Sequence, residues 1–328
     1  MTAFVTGGSG FVGGSVIRAL VANGEDVRAL ARSTRAADIV TGLGAGSVAG
    51  DLTDRSALAD AMRGSDLVFH VAGVNRMCPR DPAELYATNV DGAARAVHAA
   101  ADAGVARVVL TSSSAAIGEP AGTVGREDSP HRGTFLSHYE RSKFLGERGA
   151  RAAGEERGID VVTVNPSSVQ GPGRTTGSAR ILLSAARAGT AILLDTWFSI
   201  VDVDDCATGH VLAAERGVAG ERYLLSGGAV AMRSAIEMLH EATGHPRRVV
   251  WVPRALVRAS APLTRLVAAG REDAAVCPAL LRTLLHGHRY DGSRATRELA
   301  LVYRPLAETL ERVLSWYRAR GILPGPAA

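Results

Sequence analysis

The sequence predicts an α/β fold, a doubly wound parallel sheet joined to a smaller and mostly helical capping region, and three observations carry that expectation. Short apolar runs alternate with longer stretches of helical periodicity through the first half of the chain, the rhythm of successive βαβ units. A glycine-rich turn, Gly7-Gly8-Ser9-Gly10-Phe11-Val12-Gly13, stands directly between the first apolar run and the first helical pattern. After Asn165 the rhythm stops: Pro166, Gly171, Pro172, Gly173 and Gly177 mark a loop-rich segment, and amphipathic helical patterns dominate from Met232 onward. Two regions are therefore expected, 1–165 and 166–328, with 201–226 returning to the sheet of the first.

The elements follow in order. Strands are expected at 3–6, 27–31, 67–71, 107–112 and 160–165, where runs rich in Val, Ala, Leu and Phe are too short for buried helices, and a further short strand precedes Asp51-Leu52. Helices are expected at 11–22, 55–63, 83–103 and 137–157; Gly24, Gly104 and Gly158 stand just past three of them, where a left-handed residue closes a helix. One later strand is expected near Arg248–Val252. The apolar stretch 255–269 is interrupted by Arg258 and Arg265 and is too short to cross a bilayer, so it reads as an amphipathic helix over a pocket.

Composition narrows the class of protein. With 328 residues, 46% of them hydrophobic and 21% charged, the chain can bury a large core and does not resemble a disordered polymer. The net charge of +4 comes from scattered arginines rather than a basic run, which argues against nucleic acid as a partner. Cys78, Cys206 and Cys277 lie far apart, with no CxxC pair and no histidine at metal spacing, so neither a metal site nor a disulfide framework is expected. A reducing cytoplasm fits that reading, as does the start of the first strand at residue 3, which leaves no room for a targeting segment.

The glycine turn carries the first chemical signal. Gly7 and Gly10 permit a tight turn and close approach of backbone to a pyrophosphate, Gly13 permits close packing of helix on strand, and the helix N-terminus offers unpaired N–H groups to the anion. The second strand ends in Arg32-Ser33, followed by Arg35, where an acid would be needed to accept from a free ribose 2′-hydroxyl. Arginine suits a 2′-phosphate, so NADP is expected and NAD is the alternative. Asp51, followed by Leu52, would set a carboxylate near the adenine amino group.

The second signal is Lys143. It is the only lysine among thirty-seven basic residues, and it follows Tyr139 by four positions. An ammonium can donate to closely spaced hydroxyls and stabilise a phenolate in ways a planar guanidinium cannot. On a helix the i, i+4 spacing puts both groups on one face, and the cation is expected to lower the phenol's pKa toward the working range.

With Thr6 to Gly13 and Tyr139-Glu140-Arg141-Ser142-Lys143 in hand, the chain resembles the extended short-chain dehydrogenases/reductases, the NAD-dependent epimerase/dehydratase family. The resemblance extends to His70-Val71-Ala72-Gly73, Asn89-Val90-Asp91-Gly92, Thr111-Ser112-Ser113-Ser114, the segment from Asn165 to Gly173, Val201-Asp202-Val203-Asp204-Asp205 and Trp316-Tyr317. It implies a Rossmann-type sheet and a catalytic set of Ser113, Tyr139 and Lys143, with Ser114 as runner-up to Ser113. It implies that Lys143 holds the nicotinamide ribose, that Pro166, Ser168 and Val169 flank the nicotinamide or the pocket beside it, and that Asn89 organises the helix behind the lysine. Cofactor contacts are then expected from Gly7, Ser9, Gly10, Phe11, Val12, Arg32, Asp51, Leu52, Val71, Ala72, Gly73, Tyr139 and Lys143, and no metal ligand is expected.

Family members that act on sugar nucleotides carry a Tyr-Gly pair, an Asn and an Arg where this chain has Ile117-Gly118, Ser167-Ser168-Val169-Gln170 and Trp197-Phe198-Ser199-Ile200. The apolar replacements suit an uncharged carbonyl compound, since a buried charge needs a partner. The chain looks most like the dihydroflavonol-reductase-like and hydroxysteroid-dehydrogenase-like branches, with hopanoid-associated epimerase-like proteins also similar. The expectation is NADPH-dependent reduction of a ketone or aldehyde by a homodimer. A sugar-nucleotide epimerase or dehydratase with tightly held NAD is the first alternative, and a non-catalytic dinucleotide sensor the second.

Overall fold

Strands that must be buried on both faces need apolar residues at every position, and the segments 3–5 and 67–69 have them. The computed structural model, which describes residues 1–186, 190–244, 248–268 and 276–323, puts these segments at the centre of a seven-stranded, all-parallel sheet. In chain order its first part runs β1 (Thr2–Thr6), α1 (Phe11–Ala22), β2 (Asp26–Ala31), α2 (Thr34–Gly42), β3 (Gly46–Ala49), α3 (Arg55–Met62) and β4 (Leu67–His70). It continues with α4 (Ala83–Tyr86), α5 (Gly92–Asp102), β5 (Arg107–Thr111), α6 (His138–Arg157) and β6 (Asp160–Pro166). The capping part contributes β7 (Ser168–Gln170), α7 (Ala179–Ala186), β8 (Thr190–Leu194), β9 (Trp197–Asp202), α8 (Val203–Arg216), β10 (Arg222–Leu225) and β11 (Gly228–Ala231). The chain ends with α9 (Met232–Thr243), β12 (Arg248–Val252), α10 (Arg254–Ala268), α11 (Pro278–His286), α12 (Ser293–Leu299) and α13 (Leu306–Ala319).

The strand order is β10-β6-β5-β4-β1-β2-β3. Alternation of side chains across the sheet divides the core into two layers. Val5, Phe69 and Val109 face α1 and α8, whereas Phe4, Val68 and Val108 face α3, α5 and α6. Each of these is fully enclosed, so truncating Phe69 to alanine would cost about 3–5 kcal/mol. The order reverses between β1 and β4, and at such a switch point the flanking loops diverge and leave a crevice beyond the carboxyl ends of the strands.

The expected single helix over 83–103 is instead three pieces. A π-helical turn, Ala87–Asp91, separates α4 from α5 and turns Asn89 inward. Helical periodicity conceals such a turn, because the extra residue keeps the chain helical while rotating the face it presents. The strand expectations were accurate to a residue or two, while α2 and the short pieces β7, β8, β9 and β11 carried no separate signal. Of the segment 255–269, residue 269 lies outside the described residues, and α10 covers the remainder.

β10 lies beside β6 at the sheet edge, and α8 packs on α1. The remaining elements form two small sheets, β11-β9-β7 and β12-β8, and a separate apolar cluster in which Met232, Ile236 and Leu239 of α9 meet Val313, Leu314 and Tyr317 of α13. Asp202 caps α8 by accepting from the Asp204 amide at 2.9 Å and binds Arg304 and Arg312 at 2.9 Å. The Val-Asp-Val-Asp-Asp run therefore fastens the C-terminal residues to the sheet.

The cysteine expectation needs correction. Cys78 and Cys277 form a disulfide across 199 residues of sequence. Sequence spacing could not show this, because the pairing depends on the long loop after β4 meeting the start of α11 in three dimensions. Only Cys206 is a free, buried thiol. Among the described residues no helix is long and apolar enough to cross a membrane.

Candidate active site

The glycine turn sits at the switch point because nothing larger fits. Gly7 has φ of 72°, and a Cβ there would lie 2.6 Å from the amide nitrogen of Ala72. A Cβ on Gly13 would come within 2.2 Å of the Gly7 carbonyl oxygen, so α1 can start this close to β1 only with glycine. The Gly10 amide donates to the Gly7 carbonyl at 3.0 Å and closes the turn. Ser9 and Gly10 are exposed, Phe11 and Val12 half-buried, and Val71, Ala72 and Gly73 continue β4 into the opposite wall of the crevice.

At the far end of the crevice Arg32 and Arg35 are exposed, and Ser33 caps α2 by accepting from the Ala36 amide at 3.2 Å. Asp51 accepts from the Thr53 amide at 2.8 Å; that bond, with the charges of Arg32 and Arg95, holds its carboxyl below the usual range. Leu52 is half-buried beside it, and Arg95 donates to the Leu52 carbonyl at 3.0 Å. Arg32 and Asp51 thus approach each other from neighbouring strands.

Tyr139, Lys143 and Ser113 converge from two elements. α6 begins with a capping box: Ser137 accepts from the Glu140 amide at 3.1 Å, and Glu140 accepts from the Leu136 amide at 2.7 Å. That fixes the first turn, from which the Tyr139 phenol lies close enough to Ser113 for the serine to favour its ionised form. Ser113 follows β5, and its carbonyl accepts from Asn165 Nδ2 at 3.0 Å. Ser114 acts instead on Tyr290, so the two serines face different partners.

Lys143 is buried, and its Nζ donates to the Thr111 carbonyl at 3.1 Å. One bond uses one of three N–H groups on the ammonium. A Cβ added at Gly73 would fall 2.9 Å from Nζ, so the glycine keeps a gap open above the lysine. Burial lowers the Lys143 pKa to about 8, against the opposing influence of Glu147 one turn further along α6. His70 lies close by, bonded through Nδ1 to Thr6 Oγ1 at 2.9 Å, and burial together with the Lys143 charge lowers its pKa to about 3. It is a neutral imidazole.

Asn89 acts as expected of a helix organiser. Its Oδ1 accepts from the Val74 amide at 2.8 Å, while Nδ2 donates to the Val74 carbonyl and to Ser142 Oγ at 2.9 Å each. The π-helical turn is thereby tied both to the loop after β4 and to the residue preceding Lys143. A Cβ on Gly146 would meet the Asn89 carbonyl oxygen at 1.9 Å, so α6 lies directly against this turn.

One electrostatic expectation fails. Burial raises the Tyr139 pKa, and this outweighs the influence of Ser113 and the field of Arg174. Lys143 is directed at the Thr111 carbonyl rather than at the phenol, so the i, i+4 spacing alone does not lower the phenol's pKa. Arg174 went unnoticed in the sequence because it stands in a loop without pattern. It is a half-buried cation whose guanidinium lies 5.5 Å from the Phe11 ring centroid and donates to the Val169 carbonyl at 2.7 Å. Tyr317 Oη donates to the Arg174 carbonyl at 2.8 Å, which accounts for one residue of the closing Trp-Tyr pair.

Pro166 ends β6, and Ser168 and Val169 open β7. Ser168, Gln170 and Ser178 form a closed set of side-chain bonds at 2.8–2.9 Å. They floor a cleft enclosing about 530 Å³, part of it open to solvent, whose walls include Trp197, Phe198, Ile200 and Met232. Ile117 was expected here as well, but it packs against Leu224 and Tyr290 instead, because the 3₁₀ turn Ser114–Ile117 directs it into the core.

Comparisons with known proteins identify the family and the fold. The family model described as "NAD dependent epimerase/dehydratase family" matches residues 3–226. Sterol demethylase protein B of Methylococcus capsulatus is 33% identical over 98% of this chain and 100% of its own length. The 4-hydroxy-2-methyl-3-oxo-4-farnesyl-3,4-dihydroquinoline-1-oxide ketoreductase of Stigmatella aurantiaca is 34% identical over 93% of this chain and 92% of its own. The crystal structure described as gox2253 superposes with a TM-score of 0.85 at 29% identity, covering 98% of this chain and 99% of that one. The chain belongs to the NAD-dependent epimerase/dehydratase family and is an NAD(P)-dependent oxidoreductase of the extended short-chain dehydrogenase/reductase type.

Proposed function

We propose that the protein reduces a ketone or aldehyde on a largely apolar small molecule, using NADPH. The observation that carries this reading is the Tyr139 phenol set against Ser113, one helical turn from the buried Lys143 ammonium, and an apolar cleft lined from Ser168 and Gln170, just past the end of β6, supports it. In it, residues 1–165 hold the cofactor and 166–328 supply most of the substrate wall. The relative from Stigmatella aurantiaca, named as a ketoreductase of a farnesylated quinoline oxide, supports an apolar ketone.

The cofactor supplies hydride when bound, and the chain's groups supply everything else. Ser113 Oγ and Tyr139 Oη hold the carbonyl oxygen between two donors, which orients the carbon and stabilises the charge that develops on oxygen. Tyr139 then transfers its proton to that oxygen. A phenol whose pKa is raised by burial stays protonated at neutral pH, as an acid must before the reaction. Lys143, with donors free to meet vicinal ribose hydroxyls, sets the cofactor's depth and offsets the charge left on Tyr139.

Arg32 and Arg35, exposed where β2 ends without an acid, support NADPH over NADH. Incubating the protein with NADPH and a panel of apolar ketones, and following loss of the reduced nicotinamide, tests the reading. Steady consumption with alcohol formation is expected. Tightly bound NAD with interconversion of sugar nucleotides would overturn it.

A further inference from the structure

Between the turn after β5 and the end of α11, the fold gathers Glu119, His286 and His288, whose ligand atoms all lie within 4.8 Å of one another. Glu119 follows the left-handed Gly118, which turns the chain inward after the 3₁₀ turn. His286 ends α11, and Gly287 with φ of 73° lets His288 fold back so that the two imidazoles lie 4.8 Å apart. Glu119 Oε1 is 2.7 Å from His288 Nδ1 and 3.3 Å from His286 Nε2.

Two features show that this is more than a hydrogen-bonded cluster. Glu119 Oε2 and His286 Nε2 are both enclosed and lack a hydrogen-bond partner, although the Glu119 side chain is only 1% exposed and that of His286 only 6%. An enclosed carboxylate also requires a positive charge. The neighbouring guanidinium of Arg132 donates to the Glu119 backbone carbonyl at 3.2 Å and pairs with Glu140, so its hydrogen bonds do not go to the Glu119 carboxylate. Tyr290 Oη, 2.9 Å from His288 Nδ1, adds an oxygen on the same side.

We propose that Glu119, His286 and His288 form a binding site for one zinc(II) ion, with the Tyr290 oxygen or a water at the fourth position. Two imidazole nitrogens and a carboxylate are the ligand types of a borderline divalent ion, whereas calcium and magnesium take oxygen-rich sets. The ion would bridge the turn after β5 to the segment after α11. That segment lines the apolar cleft through Thr283, Leu284 and His288, so the metal would fix one wall of the cleft.

The test is made on the full chain, stripped with a chelator, loaded with zinc sulfate, desalted and assayed by mass spectrometry for metal. About one zinc per chain is expected, with retention falling at least about tenfold in Glu119→Gln and in His288→Asn, and unchanged in Cys206→Ser. Loading with cobalt(II) gives a readout that needs no variant: intense visible bands of a four-coordinate ion are expected. Zinc retention no higher than in the two site variants, or cobalt showing only the spectrum of the hydrated ion, would overturn the proposal.

Discussion

Lys143 Nζ donates to the backbone carbonyl of Thr111 across 3.1 Å, which anchors the sole lysine of the chain to the last residue of β5. The anchor places the ammonium at the carboxyl end of the central sheet, beside the crevice that the switch point leaves. Burial brings its pKa to about 8, so the charged form prevails below that pH and is lost above it. The unfolded chain would keep the proton to higher pH; the cost of burying the charge is therefore full below about pH 8 and relieved as pH rises toward the ordinary lysine value. Cofactor affinity of the free protein, followed by fluorescence titration, is expected to weaken as pH rises through about 8. A flat profile, or a Lys143→Met variant with unchanged affinity, would count against the role given to the ammonium.

Arg32 governs cofactor choice if the 2′-phosphate lies where β2 ends. Arg32→Glu is expected to raise the Kd for NADPH about 10- to 100-fold while changing that for NADH much less, the scale of a lost charge-assisted hydrogen bond. Calorimetry with both nucleotides measures it. Equal effects on the two would place the phosphate elsewhere.

Gly146 tests the packing behind the lysine. In Gly146→Ala the new methyl meets the Asn89 carbonyl at 1.9 Å, a backbone atom that cannot swing aside. A loss of about 1–3 kcal/mol is expected from overpacking, read as a lower urea midpoint. Because Asn89 bonds Ser142 next to Lys143, cofactor affinity is expected to fall as well.

The Cys78–Cys277 link closes a loop of 199 residues between the β4 side of the crevice and α11. Peptide mapping without reductant is expected to recover the two cysteines joined. Cys277→Ser is expected to lose about 2–4 kcal/mol of stability, mainly because the unfolded chain regains freedom. Unlinked peptides together with unchanged stability would remove the clasp from the account.

How much of this was legible in the sequence differs from one residue to the next. The strand run at 67–69 and the turn from Gly7 to Gly13 announce themselves because local sterics dictate them. Tyr139 and Lys143 are visible because a helix sets their relation within four residues. Arg174, Glu147 and the histidines at 286 and 288 depend on contacts distant in sequence, such as Arg174 with Tyr317, Glu147 with Asn165 and Glu119 with His288. No periodicity encodes such distances, and the same holds for the disulfide. The sign of the Tyr139 shift was missed for a related reason: spacing reports which groups are near, whereas burial, a property of the whole fold, decides which influence prevails.

The central claim is that Tyr139 gives its proton to the carbonyl oxygen held by Ser113. The most direct measurement is single-turnover loss of reduced nicotinamide with a saturating ketone substrate, comparing the wild type with Tyr139→Phe at matched NADPH occupancy. The variant is expected to bind NADPH normally yet turn over about 100- to 10,000-fold more slowly. A variant that turns over at the wild-type rate with its cofactor bound would contradict the account.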